Sequence, residues 1–289
     1  MNYGPLLTIY IVHYRRLPQL KNTIKHIQKN TSVEYLIKIF NNGYIDDDVS
    51  FYLEELKKKF NYNIIYSSEN VGASKARSIL AENLSTPYVL SLDDDMYLQP
   101  GWDRPIFEKF QENSKIGAMG FALTEDQGKT WFTCGKKISI KKNILKIQRP
   151  IIHLDNTPDY IAMDDICSGG ILYRTQLKEI IKWDPYYFVG FEDLQKGINL
   201  FRSDYRCYVS TKSRIFHDKV SKKLSYKEYN KSRRNYKTIR KSYLYFSKKN
   251  GLRFDLKKHI FYKYFCLLPS SFIRPVVFSW LFIKDKIIR

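Results

Sequence analysis

The sequence predicts an α/β fold, a mostly parallel sheet flanked by helices, with a basic helical C-terminal appendage. Three observations predict it. Short apolar, β-branched runs alternate with segments of helical spacing from Thr8 to Leu92. Apolar residues make up 44% of the 289, enough for a packed core. The net charge of +20 is divided unequally. Residues 211–289 hold 22 Lys and Arg against 4 Asp and Glu, a net of +18, which leaves +2 for residues 1–210. A nearly neutral body with a basic end argues against a nucleic-acid protein built around a basic core. Nucleic acid is therefore not an expected partner, and two regions are expected, 1–218 and 219–289.

The elements follow in order. Thr8 to Val12 reads as a strand buried on both faces. Leu20, Ile24 and Ile27 mark a helix, and Tyr35 to Phe40 a second strand closed by Asn41-Asn42-Gly43. Val49, Leu53, Leu56 and Phe60 mark the next helix, and Asn63 to Ser67 the third strand. A helix from about Ala73 to Glu82 leads to a fourth strand, Tyr88 to Leu92. Such a sheet binds ligands beyond its carboxyl ends, so the loops after Val12, Phe40, Ser67 and Leu92 are expected to converge. Ile116 to Leu123 is a candidate fifth strand, and 124–160 a polar loop with a hairpin. Ile171 to Tyr173 resumes the sheet. Leu194, Ile198 and Phe201 mark a helix, and Cys207 to Ser210 a short strand. Beyond about residue 218 the pattern turns helical, basic and tyrosine-rich.

The opening Met1-Asn2-Tyr3-Gly4-Pro5 lacks the basic start of a secretory signal. Pro269, Arg274 and Pro275 interrupt the longest apolar stretch, Tyr264 to Ile283, which falls short of a spanning helix. Cys134, Cys167, Cys207 and Cys266 are widely spaced and read as reduced thiols of a cytoplasmic protein.

Two aspartate triplets have different expectations. Asp46-Asp47-Asp48 stands before a helical pattern, where carboxylates cap free N–H groups. Asp93-Asp94-Asp95 ends an apolar strand with no helix at once behind it. Such a cluster is either a solvated turn or a site for a hard divalent ion, Mg²⁺ or Mn²⁺, that also holds substrate phosphates. Gly72, at a helix start, permits close approach of an anion, with Lys75 and Arg77 behind it. Ser168-Gly169-Gly170 precedes a strand, and Glu192-Asp193 opens an amphipathic helix. Those two carboxylates are helix N-terminal charges or include a general base. His217 is a structural histidine or a metal ligand.

Taken in order, these pieces resemble the family 2 glycosyltransferases of the GT-A fold. Val12-His13-Tyr14-Arg15, Asn41-Asn42-Gly43 and Asn70-Val71-Gly72 with Lys75-Ala76-Arg77 occur as in that family. Leu92-Asp93-Asp94-Asp95 is similar to its DxD motif, and Ser168-Gly169-Gly170 and Glu192-Asp193 to its acceptor-side segments. The resemblance covers about residues 6–218. It implies a nucleotide-sugar donor bordered by His13, Tyr14 and Arg15, with Asn41 or Asn42 where many members carry Asp. It implies Lys75 and Arg77 near the base or diphosphate, and Asp93 and Asp94 at the donor with Gly169 and Gly170 close by. Asp93, Asp95 and His217 would hold the divalent metal. Asp193, rather than Glu192, would be the base, and a single displacement would invert the anomeric centre.

The appendage interleaves Lys222-Lys223, Arg233-Arg234, Arg240-Lys241 and Lys248-Lys249 with tyrosines, then turns apolar around Phe261, Phe265 and Trp280. Basic, aromatic, broken-helix composition suits an anionic membrane interface; the alternative is packing on the body with solvated lysines. The leading expectation is a glycosyltransferase, peripheral at the cytoplasmic face of a membrane, acting on a glycan or lipid-linked acceptor. A nucleotidyltransferase of similar architecture would release pyrophosphate instead, and a nucleic-acid binder would use the tail alone.

Overall fold

The computed structural model describes residues 4–125, 128–148, 150–152, 157–188, 190–218 and 235–253. The first half is built from β1 (Leu7–His13), α1 (Leu17–Asn30), β2 (Tyr35–Asn42), α2 (Asp47–Phe60), β3 (Asn63–Ser67), α3 (Ala73–Leu80) and β4 (Tyr88–Asp93). β5 (Met96–Leu98), α4 (Asp103–Glu112) and β6 (Ile116–Thr124) follow. The four expected strands and three helices of this half are all present. Asp46 caps α2 as expected, its carboxylate accepting from Val49 N at 2.8 Å. β5 and α4 were not anticipated, although Ile106, Phe107 and Phe110 of α4 are buried at helical spacing.

β1 pairs in parallel with both β2 and β4, and β2 with β3, giving the order β3-β2-β1-β4. Right-handed crossovers put α1 and α2 on one face as the chain steps outward. The chain then reverses past β1 to reach β4, so α3 covers the other face, where it packs on β1 and β2. The boundary between β1 and β4 is thus the topological switch point, where a ligand crevice forms at the carboxyl ends. Leu7, Ile9 and Ile11 on β1 and Val89, Leu90 and Leu92 on β4 are fully or almost fully buried, and the main core lies around them.

In place of the single hairpin expected over 124–160, the chain forms β7 (Trp131–Thr133), β8 (Gly135–Lys141), β9 (Ile144–Gln148) and β10 (Ile151–Ile152). β11 (Tyr160–Met163), β12 (Asp165–Ile166) and β13 (Gly170–Arg174) precede α5 (Glu192–Phe201). β13 inserts antiparallel between β4 and β6. β12, β8 and β9 form a small separate sheet.

β14 (Arg206–His217) is far longer than the four residues expected. It runs parallel to β6, then pairs antiparallel with β5. The last helix among the described residues, α6 (Tyr236–Asn250), packs on the body through Ile239 and Phe246, against Ile138, Leu145, Tyr187 and Ile198. Arg240-Lys241 and Lys248-Lys249 lie on it. Lys222-Lys223, Arg233-Arg234, Cys266 and the apolar end around Phe261, Phe265 and Trp280 lie outside the described residues. No helix among the described residues is long and apolar enough to cross a membrane.

Candidate active site

Strand pairing alone collects the carboxylates. Val12 of β1 is in register with Asp93 of β4, so His13 emerges beside the aspartate triplet. Antiparallel pairing sets Gly170 of β13 opposite Leu92, which delivers Gly169 to the same end. Asp93 N donates to Gly169 O at 3.1 Å. β14 ends with His217 opposite Met96, next to Asp95.

The three aspartates take three different partners. Asp93 accepts from the Arg77 guanidinium at 2.6 Å and keeps a side chain 35% exposed. Asp94 is fully buried, bonded to His13 Nδ1 at 2.9 Å and to Arg16. Its carboxylate also receives Tyr14 N at 3.4 Å, so it turns inward and organises the β1 end rather than facing a ligand. Asp95 is paired with Arg16 and lies 3.5 Å from His217 Nε2. Its Oδ1 is buried with no hydrogen-bond partner among the described residues.

His217 lies between Asp95 and Glu125, its Nδ1 3.4 Å from Glu125 Oε1. Burial works to lower its pKa, but hydrogen bonds to Asp95 and Glu125 prevail and raise it to about 9. The field that keeps a proton on this imidazole also favours a metal cation. Among the described residues no group of three or more His, Cys, Asp and Glu is already arranged to hold a metal ion. One carboxylate oxygen left over and one imidazole still fit a hard divalent ion that completes its shell with phosphate and water.

The donor-side loops are tied to each other. Asn42 accepts from Val71 N at 2.9 Å and donates to Asn70 Oδ1 at 3.1 Å, so both ends of its amide are used. Asn41 donates to Tyr44 O at 2.8 Å, and its buried Oδ1 has no partner among the described residues. Gly72 has φ 84°, and a Cβ there would stand 2.9 Å from Phe188 Cα. Arg15, with φ 63°, lays its guanidinium over Tyr14 and Tyr44 at 5.2 and 4.9 Å. Arg77 is 5% exposed and lies over Trp183 at 5.3 Å. Lys75 is exposed; its carbonyl accepts from the Ser78 hydroxyl at 2.8 Å, and its side chain has no hydrogen bond or ion pair among the described residues.

On the acceptor side, Asp193 receives Ser168 N at 3.0 Å and the Ser168 hydroxyl on Oδ1. Its Oδ2 lies 3.6 Å from Lys136 Nζ, and the side chain is 37% exposed. Partial burial pushes the carboxyl up, but Lys136, Lys196 and Arg77 pull it well below the usual carboxylate range. Glu192 beside it is 8% exposed. Gly170 begins β13 behind Gly169. Arg16, Glu125, Lys136 and Ser168 were not anticipated in these roles. The only available signal was proximity, Arg16 following Arg15 and Ser168 preceding the two glycines.

Residues 8–180 match the family described as Glycosyl transferase family 2. Among solved structures, GalNAc-T7 with UDP, GalNAc and Mn²⁺ is similar at 14% identity and TM-score 0.59, over 75% of this chain and 44% of that one. S. aureus TarS is similar at 15% identity and TM-score 0.54, over 82% and 39%. TarS 1-349 in complex with UDP matches at 14% identity and TM-score 0.55, over 82% and 64%. The chain thus spans less than two thirds of each of these neighbours. At such identities the likeness shows the shared fold. No curated protein matches the sequence.

Proposed function

The chain belongs to glycosyl transferase family 2, and from that premise we propose that it moves a sugar from a nucleoside-diphosphate donor, a UDP-sugar, to a hydroxyl of a glycan or lipid-linked acceptor. One observation carries the reading. The Arg77–Asp93 pair ends β4, Asp95 with His217 adjoins it, and Asp193 is held by Ser168 next to Gly169, whose carbonyl bonds Asp93 N. Leaving-group charge and proton removal are the two demands of such a transfer, and each has its own residues here.

Asp95 and His217 are the residues that would hold a divalent ion, Mn²⁺ or Mg²⁺. Such an ion, when bound, neutralises the leaving diphosphate as a Lewis acid. Arg77 keeps Asp93 in place at the donor. Asp193 accepts the proton of the acceptor hydroxyl. The freed oxygen bonds to the anomeric carbon, and the bond to the diphosphate breaks with its electron pair going to the phosphate. One displacement of this kind inverts the anomeric centre. GalNAc-T7 with UDP, GalNAc and Mn²⁺ and TarS with UDP lend support to the donor class and the metal.

A panel of nucleotide sugars, offered with Mn²⁺ and simple glycan acceptors, tests the proposal. Release of nucleoside diphosphate with a product of inverted configuration is expected. Release of pyrophosphate would reassign the chain to nucleotidyl transfer, and retained configuration would remove Asp193 from its role.

We also propose that the enzyme is peripheral at the cytoplasmic face of an anionic membrane. The support is the net +18 of residues 211–289. Co-sedimentation with vesicles containing phosphatidylglycerol, lost in high salt, is expected; equal binding to neutral vesicles would remove the proposal.

A further inference from the structure

Asp193 ends a row of alternating charges contributed by three elements. Lys196 of α5 is fully buried and donates to Asp165 and to the carbonyl of Ile166. Asp165 of β12, 1% exposed, also receives Lys136 Nζ at 3.1 Å. Lys136 of β8, 13% exposed, reaches on to Asp193 Oδ2 at 3.6 Å. A buried ammonium is tolerated only when its charge is matched and its protons are bonded. Asp165 and a backbone carbonyl meet that need for Lys196. Asp165 is shared between Lys196 and Lys136, and Asp193 is a second carboxylate that Lys136 faces.

The geometry around Asp193 is divided between its two oxygens. Oδ1 holds both Ser168 donors. Oδ2 faces Lys136, and rotation of the carboxylate would break three contacts together. The other charged groups around it are Lys196 and Glu192 on its own helix and Arg77 on α3, which is tied to Asp93 of β4; Asp165 of β12 stands behind Lys136.

We infer that Lys136 is a positioning residue for the proton-accepting carboxylate: with Ser168 holding Oδ1, Lys136 faces Oδ2, the oxygen that receives the acceptor proton, and fixes the orientation of Asp193. This rests on Asp193 being the base. The lysine belongs to β8, in the polar segment 124–160 whose role the sequence left unassigned.

The full-length protein carrying ¹³C-carboxyl aspartate is titrated by NMR, with the Asp193 signal identified by its loss in Asp193→Asn. In Lys136→Met the Asp193 inflection is expected to rise by about one pH unit or more, since an opposite charge within reach typically depresses a carboxyl by that much. The acid limb of the kcat profile should rise with it, while KM for the donor stays near its original value. Lys136→Arg should restore both. An unmoved inflection in folded Lys136→Met overturns the inference. If that variant fails to fold, Lys136→Gln decides: a raised inflection upholds the inference, and an unmoved one overturns it. A shifted inflection together with full transfer by Asp193→Asn would leave the pairing intact and remove the base assignment instead.

Discussion

Gly169 lies against Asp93 so closely that a Cβ on the glycine would stand 2.5 Å from the aspartate Cγ. The contact follows from β13 pairing antiparallel with β4, which leaves the two chain ends side by side. What yields to an added methyl is the tip of a flexible side chain, not backbone. Gly169→Ala should therefore fold with a melting temperature near the original while Asp93 leaves Arg77. Donor affinity should fall about tenfold or more, in keeping with about 1.4 kcal/mol for a charge-assisted bond. Calorimetry with UDP, beside a thermal melt, measures both effects.

Gly72 behaves in the opposite way. Its φ of 84° and ψ of 161° are nearly exclusive to glycine, and Phe188 backbone blocks the space a side chain would need. Gly72→Ala should cost stability first, about 1–3 kcal/mol from backbone strain alone. A chemical denaturation curve with an unchanged slope and a lower midpoint is the expected result.

His217→Ala should weaken the metal, not the fold. Loss of a group merely behind a ligand costs about 10–100-fold in metal affinity, and loss of a ligand should cost at least as much. The Mn²⁺ concentration giving half-maximal transfer should rise by that factor, and chelation should abolish transfer by the original enzyme. Transfer that persists in full with chelator would remove the metal from the proposal.

Asp193→Asn keeps shape and removes the proton acceptor. Transfer should fall by about 10²–10⁴-fold with donor binding retained, the span expected for a general base. Single-turnover rates beside equilibrium UDP binding separate the two.

Much of the donor half is written in the sequence, for a physical reason. Strands buried on both faces must be apolar throughout, so β1 and β4 appear as unbroken runs. The later part of β14 is hidden in the sequence because its alternation is not apolar. Thr211 and Ser213 are buried while Lys212 and Arg214 are exposed, a period of two written in hydroxyls. Site carboxylates were legible because acidic triplets are rare at strand ends. Their cationic partners were not. Nothing in an Arg or Lys shows which carboxylate it will meet, and Arg16 and Arg15, adjacent in sequence, turn to aspartates and to tyrosines respectively. Phe60 and Phe201, expected on apolar helix faces, are 42% and 39% exposed at the last position of their helices.

The hold of α6 on the body should depend on acid. Partial burial pushes the Asp184 carboxyl up, but bonds from Lys249, Tyr186 N and Tyr245 bring it below its usual value. A depressed carboxyl stabilises above its unfolded pKa, about 3.9, and that contribution disappears as pH falls through the folded value. Hydrogen exchange in α6 should be slow at pH 7 and accelerate below about pH 4 relative to the main sheet. Lys249→Met should flatten that dependence.

The chain after the main sheet is fastened twice before it leaves the described body. Asp218 N bonds to Asp95 O at 2.9 Å, and Arg253 exchanges backbone bonds of 2.7 and 2.8 Å with Leu145 and Asn143 in the β8–β9 hairpin. A pull on the segment beyond Arg253 is thus met first by the hairpin and the buried Phe246 and Leu252. α6 and the hairpin it packs on give the chain near Arg253 its own anchorage, separate from the bond that holds the strand tip carrying His217.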